Sequence, residues 1–523
     1  MKRCHAAPIS AMIAKGLIAL FCLLGIAGAT LAQSSRSQAA NPRLVKSQIV
    51  QPAQAAVPAF LLSDIHFDPF LDPAKVPQLV AAPSSEWRAI LAAAPSPDQP
   101  QRFAALQQSC HARGTDTSFA LFDSSLKAMR AHAAGAKFVA VSGDLLAHAF
   151  DCKYKALRPN STQDDYRAFV EKTLTYIVDE LYGAFPNVPV YVALGNNDSD
   201  CGDYRLDANS EFLAAAGKEV TKNFPLSERP AAEESFAAGG YYSISLPSPI
   251  QNARLLVLNN IFMSKNYVTC SNKPDTTAAE AQLAWLRQQL AEARSSKQKI
   301  WVMGHIPPSV DLYSTATKMV DVCGGRKPVM FLSSEKLADA LTDSSDVIEL
   351  AVFAHTHMDE IRLLKAEMQG NYPAAPDHFT MEAKGFIAEP KAVAMKLVPS
   401  ISPINGNRPS FTLAQVDPST AALKDFKVYT ASNQTGVDAT WSEEYDFDSS
   451  FHEAEFDASS VSHLIAGFAA DPGAKTQASQ SYIKNFSAGT PSPVLQMFWP
   501  EYVCAASNHT QQSFRSCLCP VAH

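Results

Sequence analysis

Five apolar runs of strand length, each ending in aspartate, asparagine or histidine, constrain the fold of this chain more than any other feature of its sequence. The runs are AFLLSDIH (59–66), KFVAVSGD (137–144), PVYVALGN (189–196), KIWVMGH (299–305) and VIELAVFAHTH (347–357). Short apolar runs bounded by polar residues are typical of strands that are buried on both faces. Segments with helical periodicity lie between them, at 117–134, 163–182 and 278–293. Strands that alternate with helices indicate a largely parallel sheet.

The pattern changes after residue 360. Four strand-like segments follow one another without helical segments between them: EIRLLKA, AVAMKLV, FTLAQVD and KDFKVYT. They predict a second, more antiparallel sheet that packs on the first. From about residue 440 the pattern becomes helical, so a helical region is expected at the C-terminal end.

The first 57 residues are predicted to lie outside the folded domain. Three basic residues precede an apolar run from Leu17 to Ile26, and small residues follow. This pattern is typical of a signal peptide, here residues 1–32, with an uncleaved anchor as the alternative. Residues 33–57 are rich in Gln, Ala, Ser and Pro, which indicates a flexible leader. We therefore expect a secreted or periplasmic protein with no stable membrane insertion after cleavage.

The charge balance argues against one class of partner. The chain has a net charge of −7, a pI near 6.0 and no run of lysines and arginines. A protein that grips a nucleic-acid backbone presents a basic patch or stripe. A nucleic-acid polymer is therefore not expected as a partner.

Cysteine usage agrees with export. Removal of the leader leaves eight cysteines, which are Cys110, Cys152, Cys201, Cys270, Cys323, Cys504, Cys517 and Cys519. An even number in an exported chain favours disulfides. A zinc ribbon is disfavoured because no paired C-x-x-C spacing occurs. The spacing does not reveal which cysteines pair.

The residues at the five strand ends share one kind of chemistry. They are Asp64, His66, Asp144, Asn196, His305, His355 and His357. Ligands of open α/β sheets bind beyond the carboxyl ends of the strands, so these side chains should converge. Imidazole nitrogens with carboxylate and amide oxygens suit a divalent ion such as Zn, Mn or Fe. Seven ligands are too many for one tetrahedral ion, so we expect a pair of ions, about 3.5–4 Å apart, that share one carboxylate.

The motifs in this order resemble those of the calcineurin-like metallophosphoesterases, D-x-H, G-D, G-N-H-D/E, G-H and H-x-H, over roughly residues 59–430. GDLLAH (143–148), AQLAWLRQQLAEA (281–293), VPSISPINGNRPSF (398–411) and the tail EYVCAASNHTQQSFRSCLC are similar to the acid sphingomyelinase-like phosphodiesterase branch. The resemblance implies an α/β (α+β-like), four-layer sandwich of two mixed β-sheets flanked by helices, at 58–435. A small helical, disulfide-containing C-terminal region should follow at 436–523.

The resemblance also implies how two metal ions are held, with zinc expected and Mn or Fe as alternatives. One ion would be bound by Asp64, His66, Asp144 and His357. The second would be bound by Asp144, Asn196, His305 and His355. Asp144 would bridge the two ions, and a hydroxide bridging opposite it would attack phosphorus without a covalent enzyme intermediate.

Asn197 departs from the family pattern. The family has a histidine at this position, which helps to protonate the leaving group. An asparagine amide cannot donate a proton at any useful pH, but it can hydrogen-bond a phosphoryl oxygen, so Asn197 stays a candidate catalytic residue. Either another group is the acid or the site is inactive. We favour His148 as the general acid, because it matches a histidine that the sphingomyelinase-like branch places over the site. The alternative is that His148 is a solvent-exposed loop residue.

Three functions follow from these observations. The leading one is an exported, metal-dependent phosphodiesterase that cleaves a small or lipid-linked phosphoester. The second is an endopolyphosphatase or nucleotide phosphohydrolase, because the sequence GNND (195–198) resembles endopolyphosphatases of related sequence. The third is a metal-binding protein that has lost catalysis.

Overall fold

The computed structural model of the chain describes residues 55–366 and 391–519. The described residues belong to the unit that runs from Gln54 to His523. The signal peptide predicted at 1–32, and nearly all of the leader predicted at 33–57, lie outside the described residues. The first strand begins at Val57.

Two six-stranded sheets carry the described part of the chain. The strands are β1 (Val57–Leu62), β2 (Val139–Val141), β3 (Val190–Val192), β4 (Tyr242–Ser245), β5 (Ala253–Val257), β6 (Lys299–Met303), β7 (Ile348–Phe353), β8 (Glu360–Lys365), β9 (Ala392–Leu397), β10 (Ser410–Val416), β11 (Leu423–Ala431) and β12 (Trp441–Asp446). The first sheet has the order β12-β11-β10-β1-β2-β3, and the second has the order β4-β5-β6-β7-β9-β8.

Helices cover the sheets. They are α1 (Val76–Ala81), α2 (Trp87–Ala92), α3 (Gln99–Ser109), α4 (Phe119–Ala131), α5 (Phe150–Leu157), α6 (Gln163–Ala184), α7 (Glu211–Thr221), α8 (Arg229–Gly239), α9 (Thr277–Ser296), α10 (Leu312–Thr317), α11 (Lys336–Thr342), α12 (Phe447–Phe451), α13 (Ala458–Ala469), α14 (Gln477–Asn485), α15 (Pro493–Met497), α16 (Trp499–Ser507) and α17 (Gln511–Leu518). The longest, α6, begins with a capping box in which the side chains of Thr162 and Asp165 satisfy each other's backbone N–H groups.

Both sheets are mixed, which confirms the predicted fold class. In the first sheet β1, β2 and β3 are parallel, whereas β10, β11 and β12 add antiparallel pairs. In the second sheet β5, β6, β7 and β9 are parallel, and β4 and β8 are antiparallel edge strands.

The predicted division of strands between the sheets is wrong. The five strands with polar ends do not form one sheet, because β1, β2 and β3 lie in the first sheet and β6 and β7 in the second. The strands after residue 360 likewise divide, with β8 and β9 in the second sheet and β10, β11 and β12 in the first. All of these segments are apolar enough to be buried, so their patterns do not distinguish one partner strand from another.

Contacts between aromatic and backbone groups join the two sheets. The ring of Phe138, directly before β2, makes an edge contact with Trp301 of β6 at 5.6 Å. The hydroxyl of Tyr242 on β4 accepts a hydrogen bond from Val192 N–H at 2.9 Å and donates to Val192 O at 3.1 Å. These contacts hold strands of the two sheets against each other.

All eight cysteines form disulfides, as predicted. The pairs are Cys110–Cys152, Cys201–Cys270, Cys323–Cys519 and Cys504–Cys517. Their Cα separations of 5.5–5.7 Å lie in the usual range for disulfides. The region predicted to be helical from residue 436 first adds β12 to the edge of the first sheet and is helical from Phe447 onwards.

A buried charged cluster follows the fifth strand end. Asp359 accepts a hydrogen bond from the hydroxyl of Tyr445 at 2.8 Å and forms an ion pair with Lys396. Glu444 lies beside Tyr445 on β12. Unlike the carboxylate of Asp359, its two carboxylate oxygens are buried without a hydrogen-bond partner among the described residues. Burial, reinforced by the charge of Asp359, raises the pKa of Glu444 to about 8.

Replacement of Glu444 by glutamine should therefore stabilise the protein at alkaline pH. The folded-state pKa of about 8 exceeds the ordinary value of 4.5. The folded state thus binds this proton more tightly than the unfolded state. The free energy of unfolding therefore falls as the pH rises through the interval from 4.5 to about 8. The glutamine variant cannot ionise. Above this interval its free energy of unfolding should exceed that of the native protein by a few kcal/mol, since one pKa unit corresponds to about 1.4 kcal/mol.

Urea unfolding at one pH below and one pH above the interval measures this difference. The exposed neighbour Glu443, replaced by glutamine, is the matched control and should show no comparable pH dependence. An equal stability difference for Glu444→Gln at both pH values would contradict the assignment.

Candidate metal centre

The structure brings the seven predicted ligands together at the carboxyl ends of five strands. Those of the first sheet follow β1, β2 and β3, and those of the second follow β6 and β7. They are Asp64, His66, Asp144, Asn196, His305, His355 and His357. Within the centre, His305 Nδ1 after β6 of the second sheet donates to Ser142 O after β2 of the first sheet at 2.8 Å.

The first group of side chains surrounds the Nε2 atom of His66. This atom lies 3.4 Å from Asp144 Oδ2, 3.7 Å from Asp64 Oδ1 and 3.2 Å from His357 Nε2. His357 Nε2 is also 3.4 Å from Asp64 Oδ1. The four donor atoms thus face a common point, and the group has the composition predicted for the first ion.

The second group surrounds the Nε2 atom of His305. This atom lies 3.2 Å from Asp144 Oδ2 and 3.2 Å from Asn196 Oδ1. His355 Nδ1 lies 3.3 Å from it. The same oxygen of Asp144 therefore faces both groups.

Hydrogen bonds turn the donor atoms of His66, His305 and Asn196 towards the centre. His66 Nδ1 is held by Leu146 O at 2.8 Å, and His305 is held in the same way by Ser142, so the Nε2 atoms are turned inward. The amide nitrogen of Asn196 donates to Asp203 Oδ1 at 2.8 Å, which turns Asn196 Oδ1 towards His305. Asp64 Oδ1 is buried without a hydrogen-bond partner among the described residues. These residues fit a pair of divalent cations that share Asp144.

The buried carboxylates of the centre raise the pKa of two of its histidines, whereas burial lowers the pKa of the other two. Burial alone would lower the pKa of His66, but Asp144 and the neighbouring carboxylates outweigh it and raise that pKa to about 10. His305 behaves in the same way, with a pKa of about 9. Burial lowers the pKa of His355 to about 4 and that of His357 to about 3. The imidazoles of His355 and His357 are therefore neutral at neutral pH, which is the form in which histidine binds a metal ion.

Five ligand residues have left-handed backbone conformations. Their φ angles are 45° at Asp64, 42° at His66, 54° at Asp144, 72° at His355 and 65° at His357. Positive φ is uncommon outside glycine, and residues held in such conformations cluster at functional sites. The surrounding fold holds the backbone in these conformations, which aims the side chains into the centre.

Two glycines next to the centre leave no room for a side chain. A Cβ atom at Gly195 would lie 2.2 Å from Asp144 Oδ1, and one at Gly143 would lie 2.8 Å from the backbone nitrogen of Gly195. Gly143 also has a φ of 98°. A side chain at Gly195 would displace the carboxylate of Asp144, and one at Gly143 would collide with the backbone of Gly195 and with His305 Nδ1.

Asn197 contacts Asp144 directly. Its backbone N–H donates to Asp144 Oδ1 at 2.8 Å, and its side-chain amide donates to Asp144 Oδ2 at 2.9 Å. Asp198 accepts hydrogen bonds from the N–H groups of Leu145, Leu146 and Gly195, so it braces the loop. The amide of Asn197 thus orients the shared carboxylate.

Replacement of Asn197 by alanine should weaken divalent-ion binding about 10- to 100-fold, the usual cost of removing a group that orients a ligand. The backbone hydrogen bond to Asp144 Oδ1 remains in the variant, so the fold should be retained. Isothermal titration with Zn²⁺ and with Mn²⁺ measures the affinity. Asn209→Ala, at an exposed position before α7, is the control and should bind the ions as the native protein does. Equal affinities of the Asn197 variant and the native protein would contradict this role of Asn197.

His148 lies over the first group. Its ring stacks on that of His66 at 4.0 Å, and its Nδ1 lies 3.0 Å from Asp116 Oδ1. Its backbone N–H also donates to Asp116 Oδ2 at 2.9 Å. The side chain is 38% exposed, so it is open to solvent on one side yet oriented by a buried carboxylate. The catalytic role of His148 stays a prediction.

Three residues around the centre could not be predicted from the sequence. Asp116 orients His148, Asp203 orients Asn196, and the hydroxyl of Tyr204 lies 3.2 Å from His355 Nε2. Asp116 lies in a loop between α3 and α4 with no strand before it, so its sequence carries no local signal. Asp203 and Tyr204 belong to the polar stretch that follows the third strand end, where spacing does not show which side chain turns back.

A cavity of about 570 Å³ opens beside His355. Tyr204, Lys265, Tyr313 and Phe331 line it, together with the tail segment 490–494. The cavity has the size of small-ligand sites and combines aromatic rings with basic groups. It gives a ligand access to the second group of donor atoms.

Comparisons with known proteins agree with this geometry. Residues 58–359 match the family described as Calcineurin-like phosphoesterase. The sphingomyelinase phosphodiesterase C of Dictyostelium discoideum is 26% identical over 318 residues, which cover 60% of this chain and 61% of that protein. This chain thus spans less than two thirds of that relative.

Two mouse relatives are covered more fully. Acid sphingomyelinase-like phosphodiesterase 3b of Mus musculus is 25% identical over 477 residues, which cover 87% of this chain and 89% of that protein. The Mus musculus cyclic GMP-AMP phosphodiesterase SMPDL3A is 25% identical over 365 residues, with coverages of 67% and 72%. The chain belongs to the calcineurin-like phosphoesterase family of metal-dependent hydrolases, in its acid sphingomyelinase-like phosphodiesterase branch.

Proposed function

We propose that the chain is an exported phosphodiesterase that works with two divalent ions. The observation that carries the proposal is the position of Asp144 Oδ2, which lies 3.4 Å from His66 Nε2 and 3.2 Å from His305 Nε2. A single carboxylate oxygen that faces two complete groups of ligands is the arrangement that a two-ion centre needs. Zinc suits the mixture of nitrogen and oxygen donors, and Mn or Fe are the alternatives.

When bound, two divalent cations neutralise phosphoryl oxygens and lower the pKa of water at the centre towards neutrality. The residues of the chain supply the rest. Four histidines, two aspartates and Asn196 would hold the two ions, and the amide of Asn197 keeps the carboxylate of Asp144 in place. No nucleophilic side chain is required, because water attacks phosphorus directly.

His148 is the proposed proton donor to the leaving group. Asp116 holds its Nδ1, which fixes the ring and favours a proton on that nitrogen. Protonated His148 then has a second N–H to give to a departing oxygen above the first group of ligands. Such proton transfer contributes on the order of 10²- to 10⁴-fold to the rate.

The proposed substrate is a small or lipid-linked phosphodiester. The relatives named above carry sphingomyelinase phosphodiesterase and cyclic GMP-AMP phosphodiesterase names, and the cavity beside His355 is of a size that accepts a small ligand. These relatives give no support to inorganic polyphosphate as the substrate. The four disulfides agree with an oxidising compartment outside the cytosol.

Hydrolysis of bis-p-nitrophenyl phosphate by the metal-loaded protein, from acidic to alkaline pH, tests the proposal. We expect turnover that disappears with a chelator and returns with Zn²⁺ or Mn²⁺. Tight binding of both ions without turnover on any ester, unchanged in the variant Asn197→His, would favour a metal-binding protein that has lost catalysis.

A further inference from the structure

Strongly exposed large apolar side chains are few in the described residues, and most of them lie around the mouth of the cavity. They are Leu226, Tyr313, Met319, Val437, Val494 and Met497. Tyr313 and Val494 line the cavity, Met319 follows the cavity residue Lys318, and Met497 lies one helical turn from Val494 on α15. Scattered single residues of this kind are ordinary, but a cluster marks an interaction surface.

Basic residues accompany this cluster. Lys318, Arg326 and Lys327 are exposed and form no ion pair with another described residue. The acidic residue among them, Asp321, accepts a hydrogen bond from Gly324 N–H at 2.7 Å. A local excess of positive charge on a chain with a net charge of −7 is a specific feature of this surface.

The two segments that carry the surface are held in place. Leu312 and Val322 pack against Phe514 of α17, and the disulfide Cys323–Cys519 ties the first segment to the tail. The second segment, GTPSPVLQMFWP (489–500), contains no charged residue. We call residues 312–327 and 490–497 together the cavity rim.

We propose that the cavity rim docks on an anionic lipid surface. Methionine and valine side chains can enter the boundary between headgroups and acyl chains, and Tyr313 has the amphipathic ring that suits this depth. Each lysine or arginine near an anionic surface strengthens the binding. The docking is peripheral, and among the described residues no helix is long and apolar enough to cross a membrane.

The composition of the rim favours lipid over a protein partner. Methionine, tyrosine and arginine occur in both kinds of surface, but protein interfaces are depleted in lysine, whereas membrane-binding faces combine lysine with apolar side chains. Lys318 and Lys327 therefore decide for lipid. Docking would turn the mouth of the cavity towards the lipid headgroups. The docking depends on the exposure and charge of the rim, and it does not require that the centre hydrolyses phosphodiesters.

Co-sedimentation of the full chain with vesicles tests the proposal. The vesicles are phosphatidylcholine alone or phosphatidylcholine mixed with phosphatidylglycerol. We expect binding to the mixed vesicles, little binding to phosphatidylcholine alone, and weaker binding at high salt. The double variants Met319→Ser/Met497→Ser and Arg326→Glu/Lys327→Glu should each lower the bound fraction about 10-fold or more, since every tenfold corresponds to about 1.4 kcal/mol.

Matched controls come from the rest of the surface. Leu226→Ser/Val437→Ser removes the other two exposed apolar side chains, and Lys218→Glu/Arg287→Glu reverses two exposed basic residues elsewhere. Both controls should bind as the native protein does, and thermal unfolding verifies that every variant is folded. Absence of binding to the anionic vesicles, equal binding by rim and control variants, or sedimentation without vesicles would overturn the proposal.

Discussion

Replacement of Asp144 by asparagine should release at least one divalent ion and lower phosphodiesterase activity by on the order of 10²- to 10³-fold or more, the loss that follows removal of one group that stabilises charge in a transition state. Asp144 Oδ2 faces His66 Nε2 and His305 Nε2 at 3.4 and 3.2 Å, so this oxygen serves both groups. The substitution removes its negative charge. It also places an NH₂ group opposite either the ligands or the donors of Asn197.

Elemental analysis of the purified variant measures the ion content, and ester hydrolysis measures the activity. Asp200→Asn is the matched control, because Asp200 is a buried aspartate of the same polar loop and lies outside both groups of ligands. It should retain both ions. Full occupancy of both ions in the Asp144 variant would show that the proposed sharing of this carboxylate is wrong.

Replacement of His148 by alanine should lower turnover of esters with alkoxide leaving groups by about 10²- to 10⁴-fold, while esters of p-nitrophenol lose much less. An alkoxide is a strong base that must be protonated as it departs, whereas p-nitrophenolate is stable without a proton. His148 is placed for this task by its stacking on His66 and by the carboxylate of Asp116.

Two further variants distinguish the proton donor from a structural role. Asp116→Asn should give a smaller loss with the same dependence on the leaving group, because it disturbs the orientation of His148 and leaves its ring present. His463→Ala, which removes an exposed histidine of α13, should change neither ester. Equal losses on both kinds of ester in the His148 variant would exclude its role as the acid.

The positions of the seven ligands follow from local sequence. Each ligand lies within a few residues of the end of an apolar strand, and the polarity of a strand is fixed by the direction of the chain. Parallel strands of one sheet therefore present these side chains at the same edge. The packing of the two sheets then brings His305 of the second sheet to Asp64 and Asp144 of the first.

The division of strands between the sheets did not follow from the sequence. β10 pairs with β1 at the register Ala59↔Ala414, across more than three hundred residues of chain. Apolar side chains at such positions can be buried against any strand of suitable length, so the choice depends on the packing of the whole unit.

The groups that orient the ligands depended on tertiary structure for the same reason. Asp116 meets His148 from a loop between helices, and Asn197 turns its amide onto Asp144. The cavity rim likewise joins two segments that are about 170 residues apart, each too short to show an amphipathic pattern.

The strand ends, the types of candidate ligand and the use of disulfides could be predicted from the residues alone, because they depend on residue identity and on neighbours within a few positions. The cysteine pairs, the sheet order, the partners of His148 and Asn197, and the cavity with its rim became visible in the folded chain. These features depend on distances between remote residues, which are set when the hydrophobic core closes and not by any local pattern.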